Sequence, residues 1–176
     1  MGELKSKIEK AIRDVKDFPK KGIIFKDITP ILKDASLSKE IIDKLIEIHP
    51  KETTHIAGIE SRGFLFGFPA AINKEISFVL IRKKGKLPYK TISYKYDLEY
   101  GSAEIEMHID SIKKGDKVVI HDDLLATGGT AEAAAELITR QGAEIIGFSF
   151  VVELAFLKGR KILEKYTKNI KSIIDY

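Results

Sequence analysis

One segment of the chain combines residue types that can bind a phosphorylated sugar. Its β-branched residues Val118–Ile120 predict a strand that is covered on both faces. Asp122 and Asp123 follow where we expect the strand to end, and adjacent carboxylates can accept hydrogen bonds from sugar hydroxyls. The residues Ala-Thr-Gly-Gly at 126–129 then lead into an alanine-rich helix, Thr130–Arg140. Because N–H groups at a helix start are unpaired and glycine lets them approach a ligand, this order predicts a phosphate-binding loop.

Each part of this segment also has a plainer interpretation. The two aspartates can be turn residues, Thr127 can cap the helix, and the glycines can simply form the turn. The combination in this order favours the phosphate and sugar site. The segment resembles the motif with which type I phosphoribosyltransferases bind 5-phosphoribosyl 1-pyrophosphate (PRPP). It differs from the P-loop, because no lysine follows the glycines, and from the dinucleotide-binding Gly-x-Gly-x-x-Gly pattern.

The rest of the chain predicts an α/β fold around this segment. Apolar residues at helical spacing predict two early helices, one over residues 4–15 that stops at Phe18-Pro19 and one over residues 37–46. Short apolar strands are predicted at 54–59, 76–81, 118–120, 145–152 and 170–174, with helices at 64–72, 130–140 and 158–166. Alternating strands and helices indicate parallel pairing with right-handed crossovers. Residues 91–108 alternate polar and apolar and predict an antiparallel hairpin outside the main sheet.

Two more loops follow strands of this predicted sheet, at the edge where open α/β sheets bind ligands. Ser61, Arg62 and Gly63 precede a helix, so backbone N–H groups and a guanidinium could hold a pyrophosphate, although a capped helix with a surface arginine is the plainer alternative. The other loop carries four cations within five positions, Arg82, Lys83, Lys84 and Lys86. Such a cluster is usually a solvated turn, but its place on the same edge favours anion binding.

Composition indicates one domain over residues 1–176. The chain has 176 residues with 44% hydrophobic content, which suffices for one core. The net charge is only +4 although 32% of residues are charged, and no basic tail is present, so nucleic acid is not an expected partner. There is no cysteine, and the four histidines form no metal-binding pair. No apolar run has the length of a signal peptide or a membrane span, so we expect a cytoplasmic protein without membrane contact.

Six segments together are similar to the adenine phosphoribosyltransferase family of type I phosphoribosyltransferases. They are Phe18–Leu32, Ala57–Gly67, Ile81–Pro88, Tyr96–Gly101, Val118–Thr130 and Val152–Arg160. The resemblance implies the type I phosphoribosyltransferase fold, a central and mostly parallel sheet flanked by helices, with a hairpin lid and a small N-terminal hood. It also implies transfer of the 5-phosphoribosyl group from PRPP to adenine, giving AMP and pyrophosphate in purine salvage. Magnesium, held mainly through PRPP or pyrophosphate and water, and a homodimer are implied as well.

The resemblance assigns the PRPP-binding residues. The 5′-phosphate would be bound by Ala126, Thr127, Gly128, Gly129 and Thr130, and the ribose hydroxyls by Asp122 and Asp123. Ser61 and Arg62 would contact the pyrophosphate, and the family often has a cis peptide bond at the position of Glu60-Ser61. Lys86, with Arg82 and Lys83, would meet the same pyrophosphate, in some arrangements from the neighbouring subunit. No protein residue is assigned as a metal ligand.

The resemblance also assigns the adenine pocket and the catalytic residues. Adenine would lie between Phe25 and Leu124 and be read by backbone groups of Ile24 and Lys26. Glu99, on the lid, would hydrogen-bond the imidazole nitrogen that does not react, so that the other nitrogen can attack the anomeric carbon. Arg62 and Lys86 would join Glu99 as catalytic residues through charge stabilisation.

Two positions depart from the family pattern, and two other functions stay open. Lys26 stands where many members carry arginine, and His121, where an aliphatic residue is commoner, is interpreted as a packing residue. A hypoxanthine or guanine phosphoribosyltransferase on the same scaffold is the alternative enzyme. A PRPP-sensing regulator that binds nucleic acid would normally need an added DNA-binding segment. The presence of Glu99 and the lid favours the enzyme.

Overall fold

The computed structural model describes residues 2–97 and 102–176, which form two sheets and five α-helices. The strands are β1 (Arg13–Lys16), β2 (Ile24–Asp27), β3 (His55–Ile59), β4 (Ser77–Lys83), β5 (Thr91–Asp97), β6 (Ser102–His108), β7 (Lys117–Leu125), β8 (Glu144–Glu153) and β9 (Ile170–Asp175). The helices are α1 (Gly2–Ala11), α2 (Ala35–Ile48), α3 (Gly63–Asn73), α4 (Gly129–Arg140) and α5 (Arg160–Leu163). Among these residues no helix is long and apolar enough to cross a membrane.

The larger sheet has seven strands in the order β5-β6-β4-β3-β7-β8-β9. The five strands from β4 to β9 in that order pair in parallel. Their apolar runs are buried because helices cover both faces. The predicted α/β fold with a mostly parallel sheet is therefore confirmed. The expectation of one domain over residues 1–176 stays a prediction.

Helices α4 and α2 occupy two separate cores. The alanine-rich face of α4 packs into one apolar cluster with strand residues such as Ile120 and Phe148. Helix α2 begins at Asp34, whose carboxylate accepts the Leu37 N–H at 2.9 Å, and it packs with α1 into the other cluster. This N-cap satisfies one of the helix's free N–H groups and fixes where α2 starts.

The antiparallel hairpin does not lie outside the main sheet, so that prediction is wrong. Strand β6 pairs with β5 on one side and, through Arg82↔Glu106 and Lys83↔Ile105, with β4 on the other. The reason is that the hairpin has a substantial apolar face. Ile105 and Met107 are buried in the α4 core, and Ile92, Tyr94 and Tyr96 pack against the same core. The strands of the hairpin are therefore anchored by burial.

Three element boundaries also differ from the predictions. Val15 was expected in the first helix but lies in β1, where it pairs with Phe25 of β2, because cross-strand pairing replaces helical bonds after residue 12. Strand β7 continues past the aspartate pair to Leu125, since β8 pairs with it over that whole length. The helix predicted over residues 158–166 is reduced to α5. The small antiparallel sheet β1-β2 is the predicted N-terminal hood.

Candidate active site

Three loops meet at the carboxyl edge of the parallel strands. Strands β4, β3 and β7 are neighbours, with Ile59 opposite Ile81 and Gly58 opposite His121. The loop after β3 holds Glu60–Arg62, and the loop after β7 holds residues 126–128. The cations lie at the end of β4, which the structure extends to Arg82 and Lys83, and in the loop after it, which holds Lys84 and Lys86. The sequence prediction that these loops share one edge is confirmed.

The loop before α4 has the geometry expected of a phosphate-binding turn. Gly128 has φ +89°, a left-handed conformation that side-chain-bearing residues rarely adopt. A Cβ atom on Gly128 would lie 2.7 Å from the carbonyl oxygen of Gly159, whereas one on Gly129 would meet nothing within 4 Å. The loop surrounds a cavity of about 90 Å³ lined by residues from Asp122 to Ala131. Space for a phosphate group thus lies directly at the start of the helix.

The two aspartates lie in different environments although they are adjacent. The Asp123 side chain is only 4% exposed, and its Oδ2 lies 2.7 Å from Nε of Arg62. The Asp123 N–H donates to Oδ1 of Asp122 at 2.8 Å. Burial and the neighbouring Asp123 carboxylate raise the pKa of Asp122 well above its ordinary value, and Arg62 opposes this only in part. A ligand that donates hydroxyl groups would relieve this crowding of negative charge.

Arg62 connects the aspartate pair to the hood. Its guanidinium carbon lies 5.3 Å from the centre of the Phe25 ring, and Phe25 meets Phe18 edge-on at 5.2 Å between ring centroids. The Glu60-Ser61 peptide before it is cis, as the resemblance implied. Gly63 begins α3, where a Cβ atom would lie 2.7 Å from the His121 carbonyl oxygen. Glycine at this position therefore lets α3 begin directly against the aspartate pair.

The cations after β4 have different surroundings. Glu60 accepts Nε and Nη2 of Arg82 at 3.1 and 3.3 Å and the Lys83 N–H at 3.0 Å. Arg82 also donates through Nη1 to the Lys86 carbonyl oxygen at 3.0 Å, so its guanidinium is bound within the protein. Burial alone would raise the pKa of Glu60, but the bonds from Arg82 and Lys83 lower it. Neither Lys83 nor Lys86 forms a side-chain ion pair within the described residues, and both are exposed.

The residues assigned to the adenine pocket lie on the hood and on β7. Ile24 is exposed, Phe25 is half-buried, and Leu124 follows Asp123 on its strand. The Lys26 ammonium lies 2.7 Å from Oδ1 of Asp14 and 4.1 Å from the centre of the Tyr176 ring. The lysine that replaces the family arginine is thus held by Asp14 and Tyr176.

The assigned catalytic residue Glu99 lies outside the described residues. The hairpin strand that leads towards it contacts the phosphate loop, because the Tyr96 hydroxyl donates to Thr130 Oγ1 at 3.3 Å. The lid strand and the helix that begins the phosphate site are therefore in direct contact.

Two features of the site were missed by sequence reasoning. Gly159 packs so closely on the phosphate loop that a Cβ atom would lie 2.2 Å from the Ala126 carbonyl oxygen and 2.9 Å from the Gly128 nitrogen. The available signal was the Lys-Gly-Arg sequence before α5. In addition, the buried Ser149 hydroxyl lies 3.0 Å from Nδ1 of His121 and 2.8 Å from Nε2 of His49. His121, fully buried, is a packing residue as expected.

Three neighbouring cavities share Asp122 in their lining, and together they are called the cleft here. The phosphate cavity is followed by one of about 190 Å³ beside Ser61, Arg62 and Asp123, and by one of about 470 Å³ that includes Lys83 and Tyr96. The phosphate loop, the carboxylates and the cations Lys83 and Lys84 therefore surround neighbouring cavities that meet at Asp122. This set of groups matches a molecule that carries a phosphate, sugar hydroxyls and a second anion.

Comparisons with known proteins agree with this geometry. Residues 26–176 match the phosphoribosyl transferase domain. An adenine phosphoribosyltransferase of Cytophaga hutchinsonii is 50% identical over 174 residues, covering 98% of this chain and 96% of the relative. The crystal structure of the adenine phosphoribosyltransferase from Thermoanaerobacter pseudethanolicus superposes with a TM-score of 0.93 at 48% identity, covering 97% of this chain and 99% of the other. The enzyme from Trypanosoma brucei, in complex with AMP, pyrophosphate and ribose-5-phosphate, superposes with a TM-score of 0.87 at 28% identity, covering 98% and 79%. The chain therefore belongs to the phosphoribosyl transferase family and, within it, to the adenine phosphoribosyltransferases.

Proposed function

We propose that the cleft at Asp122 carries out the reaction of this family, in which the 5-phosphoribosyl group of PRPP is transferred to adenine to give AMP and pyrophosphate. The observation that carries the proposal is that a phosphate loop, an aspartate pair and the Ser61-Arg62 loop line cavities that share Asp122, in a chain half identical to known adenine phosphoribosyltransferases. Each group along the cleft matches the part of PRPP that it would meet.

PRPP would lie along the cleft with its 5′-phosphate on residues 126–130. Its ribose hydroxyls would donate to Asp122 and Asp123, and its pyrophosphate would lie beside Ser61 and Arg62. The exposed ammonium groups of Lys83 and Lys86 would reach the pyrophosphate from the other side. Arg82 supports this arrangement indirectly, because its guanidinium holds the Lys86 carbonyl oxygen.

The transfer forms a bond between an imidazole nitrogen of adenine and the anomeric carbon while the bond from that carbon to the pyrophosphate oxygen breaks. Positive charge develops on the sugar and negative charge on the leaving group. Arg62 and Lys86 would stabilise the leaving group, and Glu99 would hold adenine in the reactive tautomer and accept the proton that the other imidazole nitrogen loses as the new bond forms. Phe25 and Leu124 would enclose the base. No covalent intermediate with the protein is needed.

Magnesium is part of the proposal. The cavity beside Asp122 and Asp123 is lined by carboxylate oxygens, the donor type that this cation prefers. We propose that the ion is held chiefly through PRPP or pyrophosphate oxygens and water, with the aspartates nearby. When bound, it would neutralise charge on the pyrophosphate.

A homodimer is also proposed, through the outer face of α3. Leu65, Phe68 and Ile72 lie on one side of this helix at positions i, i+3 and i+7 and are 42%, 51% and 58% exposed. Large apolar side chains that are exposed together mark interaction surfaces. Light scattering should give twice the chain mass, and Phe68→Glu should give the single-chain mass. A monomeric unmodified protein would contradict the proposal.

The cytoplasmic location stays a proposal, which fractionation of the source cell would test.

The activity is tested by measuring PRPP consumption with adenine, hypoxanthine, guanine and xanthine side by side. We expect adenine to be used far faster than the three oxopurines, with AMP and pyrophosphate formed in equal amounts. Omission of magnesium should abolish turnover. Hypoxanthine or guanine used at a rate comparable to adenine would contradict the adenine specificity and favour the alternative enzyme.

A further inference from the structure

Glu106 is a buried carboxylate that the proposed reaction does not use. It lies on β6, is 2% exposed and faces the loop that carries the cations. Its Oε1 accepts the backbone N–H groups of Lys86 at 2.9 Å and Leu87 at 3.0 Å, and its Oε2 accepts the Thr91 hydroxyl at 3.1 Å. Burial alone would raise the pKa of Glu106, but the bonds from Leu87, Thr91 and Lys86 lower it. A buried carboxylate whose two oxygens both accept hydrogen bonds is held in one position, unlike a solvated carboxylate at the surface.

Electrostatic repulsion opposes the folded conformation of the loop that Glu106 binds. Four cations lie within the five positions 82–86, at the end of β4 and the start of this loop, and they repel one another. Glu60 holds the beginning of the loop through Arg82 and the Lys83 N–H. Glu106 holds its end through the two N–H groups. The loop is thus fixed from both ends by carboxylates, while the Lys83 and Lys86 ammonium groups stay exposed.

Glu106 also joins this loop to the hairpin. Its backbone lies opposite Arg82 of β4 on one side and opposite Ser93 of β5 on the other. Its side chain bonds the loop with one oxygen and Thr91, the first residue of β5, with the other. Displacement of the hairpin would therefore displace the backbone of Lys86.

We propose that Glu106 is a positioning residue for the leaving pyrophosphate: its carboxylate fixes the backbone of Lys86 and Leu87 before PRPP arrives and couples this loop to the hairpin. The inference rests on the proposed role of Lys83 and Lys86 in binding pyrophosphate. Loss of the carboxylate should then weaken binding of PRPP and pyrophosphate, because the loop would become ordered only when the ligand binds, and this ordering lowers the affinity. Adenine binding, on the hood, should change little.

The loop's order can be tested without turnover, because trypsin cleaves after lysine and the loop carries three lysines. The comparison uses Glu106→Ala, which removes the carboxylate that accepts both N–H groups, Glu106→Gln, which keeps one acceptor but removes the charge, and Thr91→Val. The control is Glu104→Gln on the same strand, whose carboxylate, within the described part of the chain, contacts the loop through the Lys84 side chain and accepts none of its backbone N–H groups. We expect cleavage after residues 83–86 to be about tenfold faster in Glu106→Ala and about threefold faster in Glu106→Gln, since cleavage follows the open population. Thr91→Val should give a smaller increase and Glu104→Gln none.

Steady-state kinetics supplies the second measurement. In Glu106→Gln we expect the KM for PRPP and the inhibition constant of pyrophosphate to rise together by about fivefold, with the KM for adenine changed less than twofold. A purely structural role would lower the melting temperature and alter both substrates alike, and this outcome would overturn the proposal. Equal cleavage rates in all variants would also overturn it. If Glu106→Ala and Glu106→Gln do not fold, the test uses Thr91→Val, and unchanged loop cleavage in that variant would overturn the proposal. An unmodified enzyme that does not use PRPP with adenine would instead refute the proposed function, and the cleavage result would still decide whether Glu106 orders the loop.

Discussion

At the scale of single residues, Asp122 and Asp123 have opposite effects on the fold. The nearly buried Asp123 carboxylate forms an ion pair with Arg62, whose side chain is 37% exposed. Asp122 has a pKa raised by burial and by Asp123, which means that its ionised form opposes folding. A residue that destabilises the fold at the point where the cavities of a binding cleft meet is typical of a functional position.

Asp122→Asn should therefore raise the melting temperature while weakening substrate binding. The amide removes the charge repulsion with Asp123 but accepts ribose hydroxyls less strongly than a carboxylate. We expect the KM for PRPP to rise at least about tenfold and the stability at pH 7.5 to increase by about 1 kcal/mol. Asp123→Asn is the matched variant and should lose both stability and binding, because Arg62 is left without its partner. Equal destabilisation by the two substitutions would contradict this account.

Glu99→Gln tests the chemistry apart from binding. If Glu99 holds the reactive tautomer of adenine, the turnover number should fall by roughly 10²- to 10⁴-fold with PRPP affinity nearly unchanged. Steady-state kinetics with calorimetric titration of PRPP would measure both. An unchanged turnover number would remove Glu99 from the mechanism and leave charge stabilisation by Arg62 and Lys86.

At the scale of elements, the phosphate loop depends on a second backbone segment. Gly159 packs against Ala126 and Gly128, and the adjacent Arg160 is held by Glu153 and by the Ile170 carbonyl oxygen, to which it donates at 2.7 Å. The conformation of the phosphate loop thus depends on packing against residues about 30 positions further along the chain. A substitution at Gly128 would disturb this packing as well as the phosphate site.

Gly129→Ala and Gly159→Ala separate binding from packing. The added methyl at residue 129 meets no protein atom, so we expect a higher KM for PRPP with a melting temperature within about 2 °C of the unmodified protein. The methyl at residue 159 must displace the phosphate loop, so both stability and PRPP binding should fall. Thermal unfolding and PRPP titration would measure the two effects. A large loss of stability in Gly129→Ala would mean that this glycine is needed for the fold and not for the ligand.

The elements that the sequence predicted are those with a long and regular pattern. Helices α2 and α4 and strands β3 and β8 follow from apolar periodicity, and the parallel arrangement then brings residues 60–62, 82–86 and 126–130 to one edge. The pairing of β6 with β4 was not predictable in this way, because a hairpin pattern does not tell which third strand it meets. Val15 fits a helical period by coincidence. Glu106 and Gly159 act on residues distant in sequence, so no local pattern could identify them.

At the scale of the whole molecule, two buried histidines link stability to pH. Burial lowers the pKa of His49 to about 3 and that of His121 to about 4, from an ordinary value of 6.5. Unfolded chains therefore bind protons below pH 6.5 that the folded protein does not bind until about pH 4. Stability should be complete above pH 6.5 and fall as the pH decreases towards 4, by at most about 1.4 kcal/mol per pH unit for each histidine.

Urea unfolding at pH 7.5, 6.0 and 5.0 would measure this dependence. Asp122 acts in the opposite direction, because a carboxyl with a raised pKa penalises the folded state at high pH, so the series is best repeated in Asp122→Asn. His121→Leu should reduce the slope between pH 6.5 and 5. A slope unchanged in His121→Leu would show that this histidine does not control the pH dependence.

The separation of the hood from the main sheet has a consequence for how such enzymes can change. The residues assigned to the base lie mainly on β1-β2, a sheet of its own, whereas those assigned to the sugar and phosphates lie on the seven-stranded sheet. The two meet where Arg62 contacts the Phe25 ring and where Lys26 contacts the Tyr176 ring. Base selection and donor selection can then vary independently, as exchangeable modules. A chimera carrying the hood of an oxopurine enzyme should keep PRPP as its donor while accepting a different nucleobase, provided the contact to Arg62 is retained.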